Sequence, residues 1–220
     1  QTHLLELVAL ATMEPVAPAD ADACARARIA ALAAIAPLAP ANVVYGQYDG
    51  YRDEADVAAD SGVATFMAAR LAVDTPRLRG VPVLVRAGKA MAVTATTLTL
   101  RFVGDDRLCF RLGPGTTGIT LDTARLVPGS RDARAPVALD APPGHDEDRD
   151  AYVNIVEALV TGDTSVSARA EGVRAAWRVV EPVLEAPPPV HRYARGSFGP
   201  AAADGLLAPG TRWLDPVVAA

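Results

Sequence analysis

The 220-residue chain has a formal charge of −5, with half of its residues hydrophobic and 21% charged. That length supports a substantial core, and the acidic balance with scattered arginines excludes the dense cationic face that non-specific nucleic-acid binding requires. No uninterrupted apolar run reaches the roughly 18 residues of a membrane span, and the scarcity of aromatic residues leaves Ala, Val and Leu to fill the core.

The chain opens on an apolar helical pattern, Leu4, Leu5, Leu7, Val8 and Leu10, which Pro15 stops. Thr2 is available as a weak N-cap. There is no room for a settled first turn and no initiator Met, so the expectation is a chain that starts inside a helix of a longer protein. Glu6 and the missing basic flank argue against a signal peptide. A helix apolar nearly all round is expected to be buried, His3 with it. His3 then reads in two ways: a hydrogen-bonded core residue, or a general base that titrates near neutrality.

A second helix is expected over about 21–35, capped by Asp20 or Asp22 and closed by Pro37 and Pro40. β-like runs follow at about 43–48, 64–73, 81–85, 94–103, 108–112, 118–126 and 136–139. Gly104-Asp105-Asp106-Arg107 reads as a hairpin connection. Several linkers are too short for a helical crossover, which predicts a largely antiparallel sheet. Acidic residues at 146–150 open a third helix, whose apolar face is Tyr152, Ile155, Val156, Leu159 and Val160. A fourth spans about 167–184 with Trp177 as its anchor. From Val190 the chain reads as a Gly/Pro-rich loop with a brief helical stretch at 201–207. Helices on either side of a block of strands indicate α+β: a large, mostly antiparallel sheet with flanking helices in a single domain of residues 1–220.

Lys89 is the only lysine; the remaining 20 of the 21 Lys and Arg residues are arginine. It stands in Arg86-Ala87-Gly88-Lys89, after the apolar run at 81–85. It is either a chance survivor of a compositional bias towards Arg, or a place that needs a compact ammonium where Arg would present a planar fork. Gly113-Pro114-Gly115 reads as a turn, so no dinucleotide-binding strand–loop–helix fingerprint is assigned, and no Walker sequence or Gly-x-Ser-x-Gly elbow occurs. His3, His145 and His191 are far apart and carry no acid at ligand spacing, so no metal site is expected. His145 and His191 read as surface residues. Cys24 and Cys109 read as buried free thiols, which fits a reducing compartment.

Taken in order, these segments resemble the C-terminal domain of the glucose-6-phosphate dehydrogenase family. Gln1-Thr2-His3-Leu4-Leu5 with Met13-Glu14-Pro15 is similar to that family's Gln-Asn-His-Leu-Leu helix ending in Met-Glu-Pro. Gly46-Gln47-Tyr48, Gly80-Val81-Pro82 and Arg86-Ala87-Gly88-Lys89 follow its central segments. Asp150-Ala151-Tyr152, Gly162-Asp163, Arg169, Ala176-Trp177-Arg178 and Pro182-Val183-Leu184 follow its late helices, and Gly196-Ser197-Phe198-Gly199-Pro200 with Ala203-Asp204 its tail. The resemblance implies the substrate-binding and dimerisation half of a cytoplasmic enzyme that oxidises glucose 6-phosphate at C1 with NADP or NAD. It implies His3 as general base and Lys89 as substrate contact. It also implies a homodimer through the sheet domain, with no nucleic-acid or membrane partner. The cofactor would sit mainly on an N-terminal domain outside this chain, without which the chain is expected to be inactive. Thr94 stands where the family usually has a second Arg or Lys, and Gly113 where a Gln is often found. Arg86 is a candidate to compensate for the cation lost at Thr94. The rival reading of these losses is a non-catalytic paralogue that serves as a sugar-phosphate-binding or assembly module.

Overall fold

The structure, a computed structural model, describes residues 2–17, 20–104, 106–113, 117–141, 151–162 and 169–216. They fall into two compact units, Gln1–Ala92 with Ala151–Trp213, and Val93–Asp150 with Leu214–Ala220. The fold is α+β and mostly antiparallel, with the strands shared between two four-stranded sheets.

In the first unit, helices α1 (Thr2–Thr12) and α2 (Ala21–Ala34) lead into strands β1 (Val43–Tyr48), β2 (Phe66–Leu71) and β3 (Val83–Gly88). Asp20 caps α2, its carboxylate accepting from the Ala23 N–H at 2.8 Å, which satisfies one orphan donor of the first turn. The C-terminal end of α1 is satisfied by Arg77, whose guanidinium donates to the carbonyls of Thr12 and Met13. Arg77 and Leu78 occupy the stretch before Gly80-Val81-Pro82, and Leu78 packs on the core beside them.

The last part of this unit departs from its sequence reading. Val190–Tyr193 forms a fourth strand, β8, parallel to β1, giving the order β3-β2-β1-β8. A four-residue strand after three prolines carries too few residues for alternation to show, and its partner lies some 145 residues earlier. Alternation along the sheet then sorts its two faces. One face, with Val43, Ala69, Leu71 and Val85, meets Leu5, Val8 and Ala9 of α1, Leu32 of α2, and Val179 and Val183 of α4 (Ala170–Glu185) in an aliphatic core. The other, with Phe66, Ala68, Tyr48 and Tyr193, meets Ala203 and Leu206 of a C-terminal 3-10 turn.

α4 lies against α2, where Gly172 lets Ile29 and Leu32 come within about 3.6 Å of the space a Cβ would fill. Arginines fasten both ends of this pair. Arg169 bonds Asp22 and holds that carboxyl below its usual range, and Arg178 donates to the carbonyls of Ala33 and Ile35 at 2.8 and 2.7 Å. Trp177, expected as the anchor, is instead 51% exposed, because Ala176, Val179, Val180 and Val183 occupy the buried stripe and Trp177 points to the other side. The opening of the third helix at 146–150 lies outside the described residues. α3 is Ala151–Thr161; of its expected apolar face Ile155, Val156 and Val160 are exposed, the side chains of Tyr152 and Leu159 lie outside the described ones, and Ala158 is buried.

In the second unit, β4 (Thr97–Arg101), β5 (Arg107–Leu112), β6 (Thr117–Leu126) and β7 (Arg134–Ala141) form an antiparallel meander. The expected hairpin joins β4 to β5, with the Phe102 N–H donating to the Asp106 carbonyl. Leu98, Leu100, Leu108, Phe110, Ile119, Leu121 and Leu139 are in register on one face. None is buried, and Ile119 and Leu139 are exposed. The opposite face carries Arg101, Arg107, Arg111, Asp122 and Asp140. Cys24 and Cys109 are free thiols, half-buried where the sequence suggested full burial.

Candidate functional site

Lys89 follows directly on β3, at the edge of the aromatic face of the first sheet. Its side chain is exposed, and among the described residues its ammonium makes no ion pair. Its main chain, by contrast, is held on both sides. The Lys89 N–H donates to the Thr65 carbonyl at 2.9 Å, and the Lys89 carbonyl accepts the Tyr193 hydroxyl at 2.7 Å. The next residue, Ala90, has φ +50°, a left-handed conformation that a side chain disfavours. Its carbonyl accepts from the Gly196 N–H at 2.8 Å, and the Ala92 N–H donates to Ser197 at 2.9 Å. The turn that presents the lysine is thus bound to β1's neighbours on one side and to the Gly-Ser-Phe-Gly-Pro segment on the other.

Phe66 is the floor beneath this turn. A Cβ on Gly88 would stand 2.8 Å from the Phe66 ring and 2.9 Å from the Met91 sulfur. A Cβ on Gly199 would stand 2.3 Å from the same ring, at a φ of +109°. Two segments more than a hundred residues apart therefore carry glycine for one reason, the approach of their backbones to one aromatic ring. Tyr193 stacks at a tilt on Phe66, with centroids 5.5 Å apart, and meets Tyr48 edge-on at 6.3 Å. Burial pushes the Tyr193 phenol above its ordinary value, so it stays protonated and able to donate.

Arg86, two residues before Gly88, places its guanidinium 5.1 Å from the ring centroids of both Phe198 and Trp213. The sequence made Arg86 a candidate second cation beside Lys89. In the fold it is engaged by these two rings and fastens the C-terminal segment to β3. Further along the same face, Arg195 lies over Tyr48 at 4.8 Å and bonds Glu54 at 2.8 Å. The Arg195 hydrogen bond, and next that of the Tyr48 hydroxyl, hold the Glu54 carboxyl below its usual range.

His3 sits in the first turn of α1 and is exposed, contrary to the burial expected of it. The helix buries Leu5, Val8 and Ala9, and this stripe leaves position 3 on the open side. The Arg28–Glu6 ion pair at 3.9 Å and the Arg77 cap fix the helix that carries it. Among the described residues no hydrogen bond or ion pair involves the His3 side chain. Thr94 and Gly113 belong to the second unit, where the Gly113 carbonyl accepts from the Thr96 N–H at 2.7 Å. His191 is exposed on β8, and His145 lies outside the described residues. Among the described residues no group of His, Cys, Asp and Glu could hold a metal ion, and no helix is long and apolar enough to cross a membrane.

Sequence reasoning did not single out Tyr193, Thr65, Phe198 or Trp213. A signal existed: the chain has only four Phe, two Trp and five Tyr, and six of these rings (Tyr48, Tyr51, Phe66, Tyr193, Phe198 and Trp213) gather on this one face.

Comparison with known proteins gives consistent results. A family model described as glucose-6-phosphate dehydrogenase, C-terminal domain, matches residues 1–214. Glucose-6-phosphate 1-dehydrogenase 1 of Mycobacterium tuberculosis is 35% identical over 232 residues, covering 98% of this chain and 49% of that protein. The glucose-6-phosphate 1-dehydrogenase of Chlamydia pneumoniae is 30% identical over 94% of this chain and 47% of its own length. Among solved structures, the Mycobacterium avium glucose-6-phosphate 1-dehydrogenase superposes with a TM-score of 0.87 at 31% identity, over 99% of this chain and 50% of that one. A glucose-6-phosphate dehydrogenase in complex with its substrate superposes with a TM-score of 0.82 at 25% identity, over 97% and 50%. The chain spans about half the length of the relatives it matches.

Proposed function

Because the chain belongs to the glucose-6-phosphate dehydrogenase C-terminal domain family, we propose that it is the substrate-binding and dimerisation half of an enzyme that oxidises glucose 6-phosphate at C1 to the lactone. The observation that carries this reading is the lone lysine. A chain that writes every other cation as Arg places its one ammonium at the end of β3, on a turn held from both sides. A mobile, exposed point charge on a fixed backbone suits an anion such as the sugar phosphate.

In this reading Lys89 holds the phosphate and His3 takes the C1 hydroxyl proton at a ring nitrogen. A neutral imidazole presents an unprotonated ring nitrogen that can accept that proton. The exposure of both side chains supports roles toward a ligand. The match across residues 1–214 supports treating the two units as one functional domain.

The chain's own residues do not fit a dinucleotide. Gly113, Gly115 and Gly118 match the letter spacing of a dinucleotide fingerprint, but Gly113 follows β5 and Gly118 lies within β6, its antiparallel neighbour, and no described residue of the segment is helical. NADP or NAD, which would supply hydride acceptance, is therefore assigned to residues outside this chain, and the chain alone is expected to be inactive. A cytoplasmic setting accords with two free thiols. The homodimer is proposed through the second sheet, whose apolar face has no buried member. A monomer in sedimentation at micromolar concentration would count against it.

Calorimetric titration of glucose 6-phosphate into the protein and its Lys89→Ala variant tests the central assignment. Loss of one charge-assisted contact, about 1.5–3 kcal/mol, weakens binding about ten- to a hundredfold. Equal affinities would remove Lys89 from the site.

A further inference from the structure

We propose that Tyr193 is a positioning residue for Lys89, its phenolic hydroxyl setting the turn from which the ammonium is presented. The inference deepens the reading of Lys89 as the phosphate contact and rests on it.

Tyr193 is 4% exposed, and its ring packs between Tyr48 and Phe66. Those ring contacts would be made equally by phenylalanine. What the hydroxyl adds is polar and directed at one place. It has a single proton and lies 2.7 Å from the Lys89 carbonyl, 3.1 Å from the Thr65 hydroxyl and 3.3 Å from the Thr65 carbonyl. The shortest contact takes the proton. The Thr65 hydroxyl then donates to the tyrosine oxygen at 3.1 Å rather than to the more distant Gly46 carbonyl at 3.5 Å, while itself accepting from the Tyr48 N–H at 3.1 Å. The result is a directional chain from the Tyr48 main chain, through Thr65 and Tyr193, to the Lys89 carbonyl, in which each bond polarises the next.

The same threonine receives the Lys89 N–H on its own carbonyl. Residues 65 and 193 therefore grip both polar groups of the Lys89 main chain. The grip is needed because Ala90, immediately after, stands at φ +50° and would otherwise relax. Relaxation would swing the stem of Lys89, and a misplaced contact of about 1 Å is costly in a binding site.

Lys89, as the only lysine, gives a single internal resonance when the chain is labelled with [15N]lysine. In Tyr193→Phe the Lys89 amide is expected to exchange at least about tenfold faster, and glucose 6-phosphate to bind about tenfold more weakly, if one hydrogen bond to the turn is lost. The comparator is Val179→Ala on the opposite face, which lowers global stability but should leave both readouts near their original values. Tyr193→Phe matching the unsubstituted protein in both readouts overturns the proposal, as does an equal loss of affinity in Val179→Ala. A Lys89→Ala variant that binds normally overturns the phosphate reading itself, a result distinct from a silent Tyr193→Phe. Should Tyr193→Phe fail to fold, hydroxyl exchange of Tyr193 in the unsubstituted protein decides. A slowly exchanging proton is expected, and exchange as fast as that of an exposed tyrosine overturns the clasp.

Discussion

The two faces of the first sheet are built on different principles. The helix-covered face is filled with Leu, Val, Ile and Ala, and gains from the area it removes from water. Its polar details, Asp20 at one helix end and Arg77 and Arg178 at others, close helix termini. The opposite face is aromatic, and glycines bring backbone directly onto rings. The aliphatic face can absorb a change of shape by small shifts among many similar side chains. The aromatic face cannot, because its contacts are between rings and main chain. Stability is concentrated on the first, and the geometry of one exposed lysine on the second.

Substitutions can break this contrast in order of size. Gly199→Ala should be the most damaging, because it adds a carbon 2.3 Å from Phe66 at a left-handed φ. Overpacking and backbone strain together predict a loss of about 3–5 kcal/mol in denaturant unfolding. Val179→Ala, fully buried on the aliphatic face, should cost less, about 1.5–3 kcal/mol. If the order of these two were reversed, the two faces would not differ in tolerance as described. Ala90→Gly should move in the opposite direction and stabilise by up to about 1 kcal/mol, since glycine removes the left-handed penalty. On the proposed reading of Lys89, affinity for glucose 6-phosphate should nonetheless not improve, because glycine also frees the turn.

The smallest effect concerns pH. Glu54 is held below its unfolded value by Arg195 and then by Tyr48, so its contribution is complete above the ordinary carboxylate range. It fades as pH falls through the lowered folded value. Unfolding followed from about pH 6 to 3 should show a shallower acid decline in Glu54→Gln than in the unsubstituted protein.

Much of the helix-covered face was legible in the chain. The Asp20 cap, Pro15 and the β-branched runs are local signals, and β1 was read with its observed bounds. Composition and motif marked Lys89 as a candidate, and the structure shows the turn that carries it. The aromatic face was not. Tyr193 gains its meaning from Thr65 and Lys89, residues 128 and 104 positions away, and no periodicity connects them. The exposure of Trp177 was hidden for a related reason: size suggested an anchor, but the small residues Gly172 and Ala176 hold the buried stripe of α4. His3 misled because the helix is apolar on more than the stripe it buries.

The parallel pairing of β8 with β1 has a consequence for how the molecule comes to exist. Residues 45–48 must wait for residues 190–193, and closing so long a loop precedes any reward from the contact. During synthesis the lysine turn would emerge about a hundred residues before Tyr193 and remain unlatched until residues 190–193 had followed. The proposed substrate contact would then mature only after β8 had joined β1, and its appearance would report that pairing.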